Sequence, residues 1–127
     1  MKILICGDRN WTDKHKIYNV LDCDKFDLIR SSTIIIHGAC RGADRLAGDC
    51  AKELFFKDVI PFPANWAKFG TKAGPIRNRE MLDEKPDLVI AFHSNLIKSK
   101  GTLDTVMEAN RRGIEVWIVP SAKGGIE

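Results

Sequence analysis

The four cysteines of this sequence, Cys6, Cys23, Cys40 and Cys50, include no pair at C-x-x-C spacing. That excludes zinc-ribbon and dithiol redox sites and leaves reduced packing residues, so no metal and no cofactor is expected. Long hydrophobic runs are also missing. The N-terminal run stops at Gly7 without a small-residue cleavage site after it, so neither a membrane span nor a signal peptide is read and a soluble, cytoplasmic protein is expected. Charge of one sign is scarce: Lys+Arg 20 against Asp+Glu 17 leaves a net +3, with no long basic run. Such a balance suits small anionic ligands and argues against a nucleic-acid partner. Two phosphate-binding signatures are absent as well, G-x-G-x-x-G after the first strand and G-x-x-x-x-G-K-[ST] anywhere, which excludes an ordinary dinucleotide dehydrogenase and a Walker ATPase.

What the sequence does contain is organised around residues 33–54. Ile34, Ile35 and Ile36 read as a strand buried on both faces, Gly38 and Gly42 break it, and Ala43, Leu46, Ala47, Cys50, Ala51 and Leu54 recur at helical spacing. A strand, a glycine turn and a helix aim backbone N–H groups and the positive end of a helix dipole at one point, where anions bind well. The glycines also suit a tight connection with no ligand, so the other segments must decide. Asp44, in the first helical turn, serves either as a cap or as an acceptor for a ligand hydroxyl.

Four further strands are expected over residues 2–6, 59–63, 87–92 and 115–119, and Pro61 and Pro63 give the second of these an edge position or an early stop. A helix through Ile17, Val20 and Leu21 is capped by Thr12 or Asp13 and ends near Asp24. After an irregular stretch from Ala64, Pro75 opens another helix at its first position. Arg77 and Asn78 then fall in that helix's first turn, where a cation asks for an anionic partner. A last helix, through Leu103, Val106 and Met107, stops at Gly113. In the loop after the first strand, Arg9 can fork onto phosphate and Trp11 can offer a face to a base; otherwise Arg9 is a surface charge and Trp11 a core anchor. His93 follows the fourth strand as a hydrogen-bonded loop residue or an acid–base group. Lys100, Gly101 and Thr102 bring a cation, N–H groups and a hydroxyl to a second helix N-terminus.

Alternating strands and helices imply one α/β domain over residues 1–120, with a loose tail at 121–127. The architecture expected is Rossmann-like and three-layered, a parallel sheet of about five strands in the order 3-2-1-4-5 with helices on both faces. In that order the loops after Cys6, His37 and Phe92 converge on one crevice.

The segments Gly7-Asp8-Arg9-x-Trp11, His37-Gly38-Ala39-x-x-Gly42-Ala43-Asp44, Pro63-Ala64-x-Trp66, Ala73-Gly74-Pro75-x-Arg77-Asn78-x-x-Met81 and Gly101-Thr102 together resemble the YspA-like branch of the SLOG superfamily. The resemblance spans nearly the whole chain. It implies a Rossmann-like domain binding a nucleotide or nucleotide-derived ligand, kinship to the LOG phosphoribohydrolases and to DprA, and occurrence in bacteria or phages, with a host-cytoplasmic location for a phage gene. A homo-oligomer is also expected. Residue by residue, the ligand set comprises Gly7, Asp8, Arg9, Trp11, His37, Gly38, Ala39, Arg41, Gly42, Asp44, Trp66, Gly74, Arg77, Asn78, Lys100, Gly101 and Thr102.

The LOG signature P-G-G-x-G-T-x-x-E is met only in part. Arg77 looks like its upstream arginine and Gly101-Thr102 like its G-T step, but Thr105 stands at the glutamate position and residues 95–99 replace Pro-Gly-Gly. Asp104 would point about 100° away around the helix. The leading expectation is a sensing or sequestering module. The alternative is an N-glycosidic hydrolase of nucleoside monophosphates in the same pocket, with Arg77, Asp44 and Glu108 as catalytic candidates and Asp8 as a further carboxylate. DprA-like binding of single-stranded DNA is the weakest reading, given the small net charge.

Overall fold

The computed structural model describes residues 1–121, so the expected tail lies outside the described residues except for Ser121. Its strands are β1 (Lys2–Gly7), β2 (Ile34–His37), β3 (Asp58–Pro61), β4 (Leu88–Phe92) and β5 (Glu115–Val119). All pair in parallel, in the order β3-β2-β1-β4-β5. This is the Rossmann-like order implied by the alternating pattern. β3 lies at an edge, as suits its one proline, Pro61, since a proline nitrogen cannot donate to a neighbouring strand, and it stops before Pro63.

Successive residues of a strand point to opposite faces, and β1 uses both. Ile3 and Ile5 join Ile35, Leu88 and Ile90 in a core with Ile17, Leu21, Ala47 and Ala51. Leu4 and Cys6 join Ile36, Val89 and Ala91 in a second core with Met81, Leu82, Val106 and Ala109. The first layer is built by α1 (Lys14–Leu21) and α3 (Ala43–Glu53), the second by α5 (Ala73–Asp83) and α6 (Lys100–Arg111). Small residues on α3, Ala43, Ala47 and Ala51, are fully buried and let that helix approach the sheet closely.

The elements depart from the pattern reading in three places. α1 is capped by Asp13, whose carboxylate accepts from Lys16 N at 3.2 Å, but it ends at Leu21; a short helix α2 (Asp24–Asp27) and a 3-10 turn (Arg30–Ser32) fill the path to β2. Residues 66–72 form α4 (Trp66–Phe69) and another 3-10 turn instead of an irregular loop. α5 begins at Ala73, which puts Pro75 at its third position, where the missing N–H costs no intrahelical bond. Arg77 therefore lies in the second turn, and the dipole argument for its anionic partner no longer holds. Gly113, at φ +77°, follows the end of α6 as expected of a residue that stops a helix. Among the described residues, no helix is long and apolar enough to cross a membrane.

Candidate functional site

The chain steps from β1 outward to β2 and β3, then returns to place β4 on the other flank of β1. A crevice opens where the direction of winding reverses, at the carboxyl ends of the strands. It holds a cleft of about 380 Å³. Gly7, Asp8, Arg9 and Asn10 reach it from the loop after β1, Cys40 and Asp44 from the β2–α3 connection, Arg77, Asn78 and Met81 from α5. His93, Lys98, Ser99, Lys100, Gly101, Thr102 and Thr105 line it from the segment after β4. A second hollow of about 460 Å³ adjoins, sharing Arg9, Cys40 and Arg77 and adding Gly38, Ala39, Arg41, Arg45, Pro63, Ala64 and Trp66.

Arg77 is 7 % exposed. Its Nε donates to Asn78 Oδ1 at 3.0 Å, and its Nη1 donates to Gly38 O at 2.5 Å and Phe62 O at 3.4 Å. Both terminal nitrogens lie 3.8 Å from Cys40 Sγ. Among the described residues no carboxylate forms an ion pair with it. Neutral acceptors satisfy the N–H groups, and the charge, without a direct ion pair, acts across Gly38 on the Asp44 carboxyl, whose pKa it pulls down.

Asp44 is 5 % exposed, and its Oδ2 accepts from Gly38 N at 3.0 Å and Cys40 N at 3.3 Å. Burial pushes its pKa up to about 6, against the downward pull of those two amides and of the Arg77 and Arg9 charges. A carboxyl group on a cleft wall that titrates there can exchange a proton near neutrality. Gly38 lies between the two side chains: a Cβ on it would stand 2.6 Å from Arg77 Nη1 and 3.0 Å from Asp44 Oδ2. The lack of a side chain is what lets both groups reach its backbone.

At the start of α6, Ser99 Oγ accepts from Thr102 N at 3.3 Å, and Asn78 Nδ2 donates to Gly101 O at 3.3 Å. Thr105 Oγ1 also donates to Gly101 O, at 3.2 Å. The helix N-terminus and the lysines at 98 and 100 thus border the same cleft as Arg77.

Several expected ligand residues lie elsewhere. Trp11 is 5 % exposed, with its ring edge against Phe92 at a 5.6 Å centroid separation and its Nε1 donating to Asp13 O at 2.9 Å; it is the core anchor, with no face left for a base. His37 lines neither hollow. It packs on Gly48, accepts from Ala39 N through Nδ1 at 2.9 Å, and has its pKa lowered by burial and then by the Lys52 charge, so a neutral imidazole braces the turn. Gly42 caps α3 and Gly74 packs against the Trp66 ring, both outside the cleft lining. Asp104 is engaged by Arg79 and Asn78.

Glu108, a catalytic candidate in the sequence, also lies outside the cleft lining. Its carboxylate is held by Arg111 and Arg112, with Arg79 at 3.7 Å, and the two guanidinium hydrogen bonds bring its pKa down to about 2. A carboxylate whose folded-state pKa is depressed stabilises the fold above its ordinary value of 4.5, and that contribution is lost as pH falls towards about 2. Glu108→Gln should lower the melting temperature at pH 7. Melts at successively lower pH should show the gap between variant and parent closing below pH 4.5, whereas a gap independent of pH would assign the loss to packing.

Asn10, Cys40, Lys98 and Ser99 line the cleft although their residue types carried no signal in the sequence. Their only mark is position, each in a loop that follows a parallel strand. Among the described residues, no group of three or more His, Cys, Asp or Glu side chains could hold a metal ion.

Two similarities to known proteins accompany this geometry. A protein-family model described as YspA, cpYpsA-related SLOG family matches residues 1–69, which carry β1 to β3 and the β2–α3 turn. The Gene 61 protein of Mycobacterium phage D29 is 34% identical over 119 residues, covering 91% of this chain and 93% of that protein.

Proposed function

This chain belongs to the YspA, cpYpsA-related SLOG family, and on that premise we propose that it binds a nucleotide or nucleotide-derived ligand in the cleft, as a sensing or sequestering module. The observation that carries the reading is the buried Arg77 guanidinium, which forms no ion pair among the described residues, in the same cleft as the N-terminus of α6. A phosphate dianion supplies a direct countercharge and accepts the N–H groups of residues 100 and 101. Arg9 adds charge at the rim, Asp8 and Asp44 offer acceptors to ribose hydroxyls, and Trp66, 51 % exposed in the adjoining hollow, offers a flat face to a base.

Hydrolysis is the second reading, and Asp44 favours it, being a cleft carboxyl group that titrates near 6. Breaking a glycosidic bond builds positive charge on the ribose, which a preorganised carboxylate stabilises. At the position where the LOG signature has glutamate, Thr105 offers a hydroxyl already donated to Gly101 O. Phosphate binding is retained while the interaction that differs between ground and transition states is weak, and only that difference accelerates chemistry. The expected outcome is affinity without turnover. Calorimetric titration with the common nucleoside monophosphates should give saturable binding, and chromatography of the same mixtures should show no free base in excess of protein. Absence of binding to any nucleotide would overturn the proposal. Multiple-turnover base release abolished by Asp44→Asn would establish the hydrolase reading in its place.

A further inference from the structure

Eight arginines occur in the sequence, and their surroundings divide them into two sets. Arg30, Arg79, Arg111 and Arg112 each form an ion pair with an aspartate or glutamate. Arg9, Arg41, Arg45 and Arg77 form none among the described residues, and these are the four arginines that line the hollow beside the main cleft. The polar contacts of two of them go to neutral acceptors: Arg41 Nη2 donates to Asn10 Oδ1 at 3.4 Å and Arg45 Nε to Ala39 O at 3.3 Å.

The two hollows differ in charge. The main cleft mixes its cations with the carboxylates of Asp8 and Asp44, whereas no aspartate or glutamate among the described residues lines the second hollow. Like charges gathered around one concavity repel one another and focus a positive field into it. A fold that pairs every arginine elsewhere and leaves four unpaired around one hollow has built a place for an anion. The main cleft already has an anion position, at the start of α6. Because the hollows share Arg9, Cys40 and Arg77, one ligand can occupy both.

We propose, building on the nucleotide-binding reading above, that the second hollow takes a second phosphate, so that the ligand is a nucleotide carrying phosphate groups at two separate positions of its ribose. One phosphate meets the N-terminus of α6 and the other meets Arg41 and Arg45. A nucleoside diphosphate carries the same number of phosphates at one ribose position, so it separates the effect of charge from that of placement.

Isothermal titration of the protein with the 5′-monophosphates, 5′-diphosphates and 3′,5′-bisphosphates of adenosine, guanosine, cytidine and uridine tests this. At least one bisphosphate should bind about tenfold or more tightly than its own monophosphate and diphosphate, the gain expected of charge-assisted contacts to a second phosphate. In the double variant Arg41→Ala/Arg45→Ala, which alters two exposed side chains, the ratio of bisphosphate to monophosphate affinity should fall towards one. Monophosphate binding with no gain from the second phosphate would overturn this inference and leave the nucleotide-binding reading standing. So would a diphosphate gain equal to that of the bisphosphate, or a bisphosphate gain that survives in the double variant. Failure of every nucleotide to bind would overturn both.

Discussion

Arg77→Ala should lower the stability of the protein by about 2–4 kcal/mol and weaken a phosphate-bearing ligand by about 1.5–3 kcal/mol. The stability loss follows from what the guanidinium holds. Its removal strands the carbonyls of Gly38 and Phe62 and the side-chain oxygen of Asn78, and empties a buried site between α5 and the β2–α3 turn. The affinity loss follows from the charge, which no ion pair among the described residues neutralises. Arg77→Lys separates the two effects: an ammonium keeps the charge but cannot span acceptors that a planar fork reaches together, so affinity should recover more than stability. Urea denaturation and calorimetry on the two variants read these quantities. Equal affinity of Arg77→Ala and the parent would confine this arginine to holding the turn.

Gly42→Ala should cost about 2–5 kcal/mol, because two penalties coincide there. Gly42 sits at φ +78° and ψ −128°, a conformation that essentially only glycine adopts. An added Cβ would also run into backbone, with the carbonyl carbon of Arg9 at 2.6 Å, and backbone cannot swing aside as a flexible side chain does. Gly113→Ala gives the cost of a positive φ without any clash, since Gly113 has φ +77° and an added methyl group there would meet nothing within 4 Å. Its cost should be about 1 kcal/mol. Equilibrium unfolding of both variants gives the comparison, and similar losses would show that the loop after β1 yields to the added methyl. A large loss confined to Gly42→Ala would identify this glycine as the point where the β2–α3 turn fixes the loop carrying Asp8 and Arg9.

The parts of this architecture that were legible in sequence are those governed by local rules. The apolar runs at Ile34–His37 and Leu88–Phe92 have no polar face to turn outward, so they read as strands covered on both sides. Pro61 forbids one hydrogen-bonding neighbour and places β3 at an edge; Gly113 takes the positive φ that ends α6. Less legible were features set by long-range packing. The start of α5 two residues before Pro75 moves Arg77 from the first turn of the helix to the second, where it is buried over Gly38, a contact between residues far apart in the chain. Trp11 could have faced either the ligand or the core, and the neighbouring Phe92 on β4 decides it. Glu108 reads as a free carboxylate on α6 until Arg79, Arg111 and Arg112 are seen around it. Nor does spacing show that four of eight arginines form no ion pair among the described residues, because ion pairing is a property of the folded surface.

The position of β1 between β2 and β4 also sets an order of events during synthesis. Ile3, Leu4 and Ile5 pair with β2 on one side, and those same residues pair with Leu88, Val89 and Ile90 on the other. The centre of the sheet leaves the ribosome first, and one of its two neighbours leaves it much later. Until β4 arrives, residues 1–69, which the family model matches, present β1 with an unpaired edge that can accept a strand from another chain. Residues 98–102 lie downstream of β4, so the proposed anion position at the start of α6 forms only once β4 has inserted beside β1. Under the proposed reading, insertion of β4 closes the edge of β1 and assembles the cleft in one step, before β5 is added, and a nascent chain that has not closed that edge has no assembled cleft to offer a ligand.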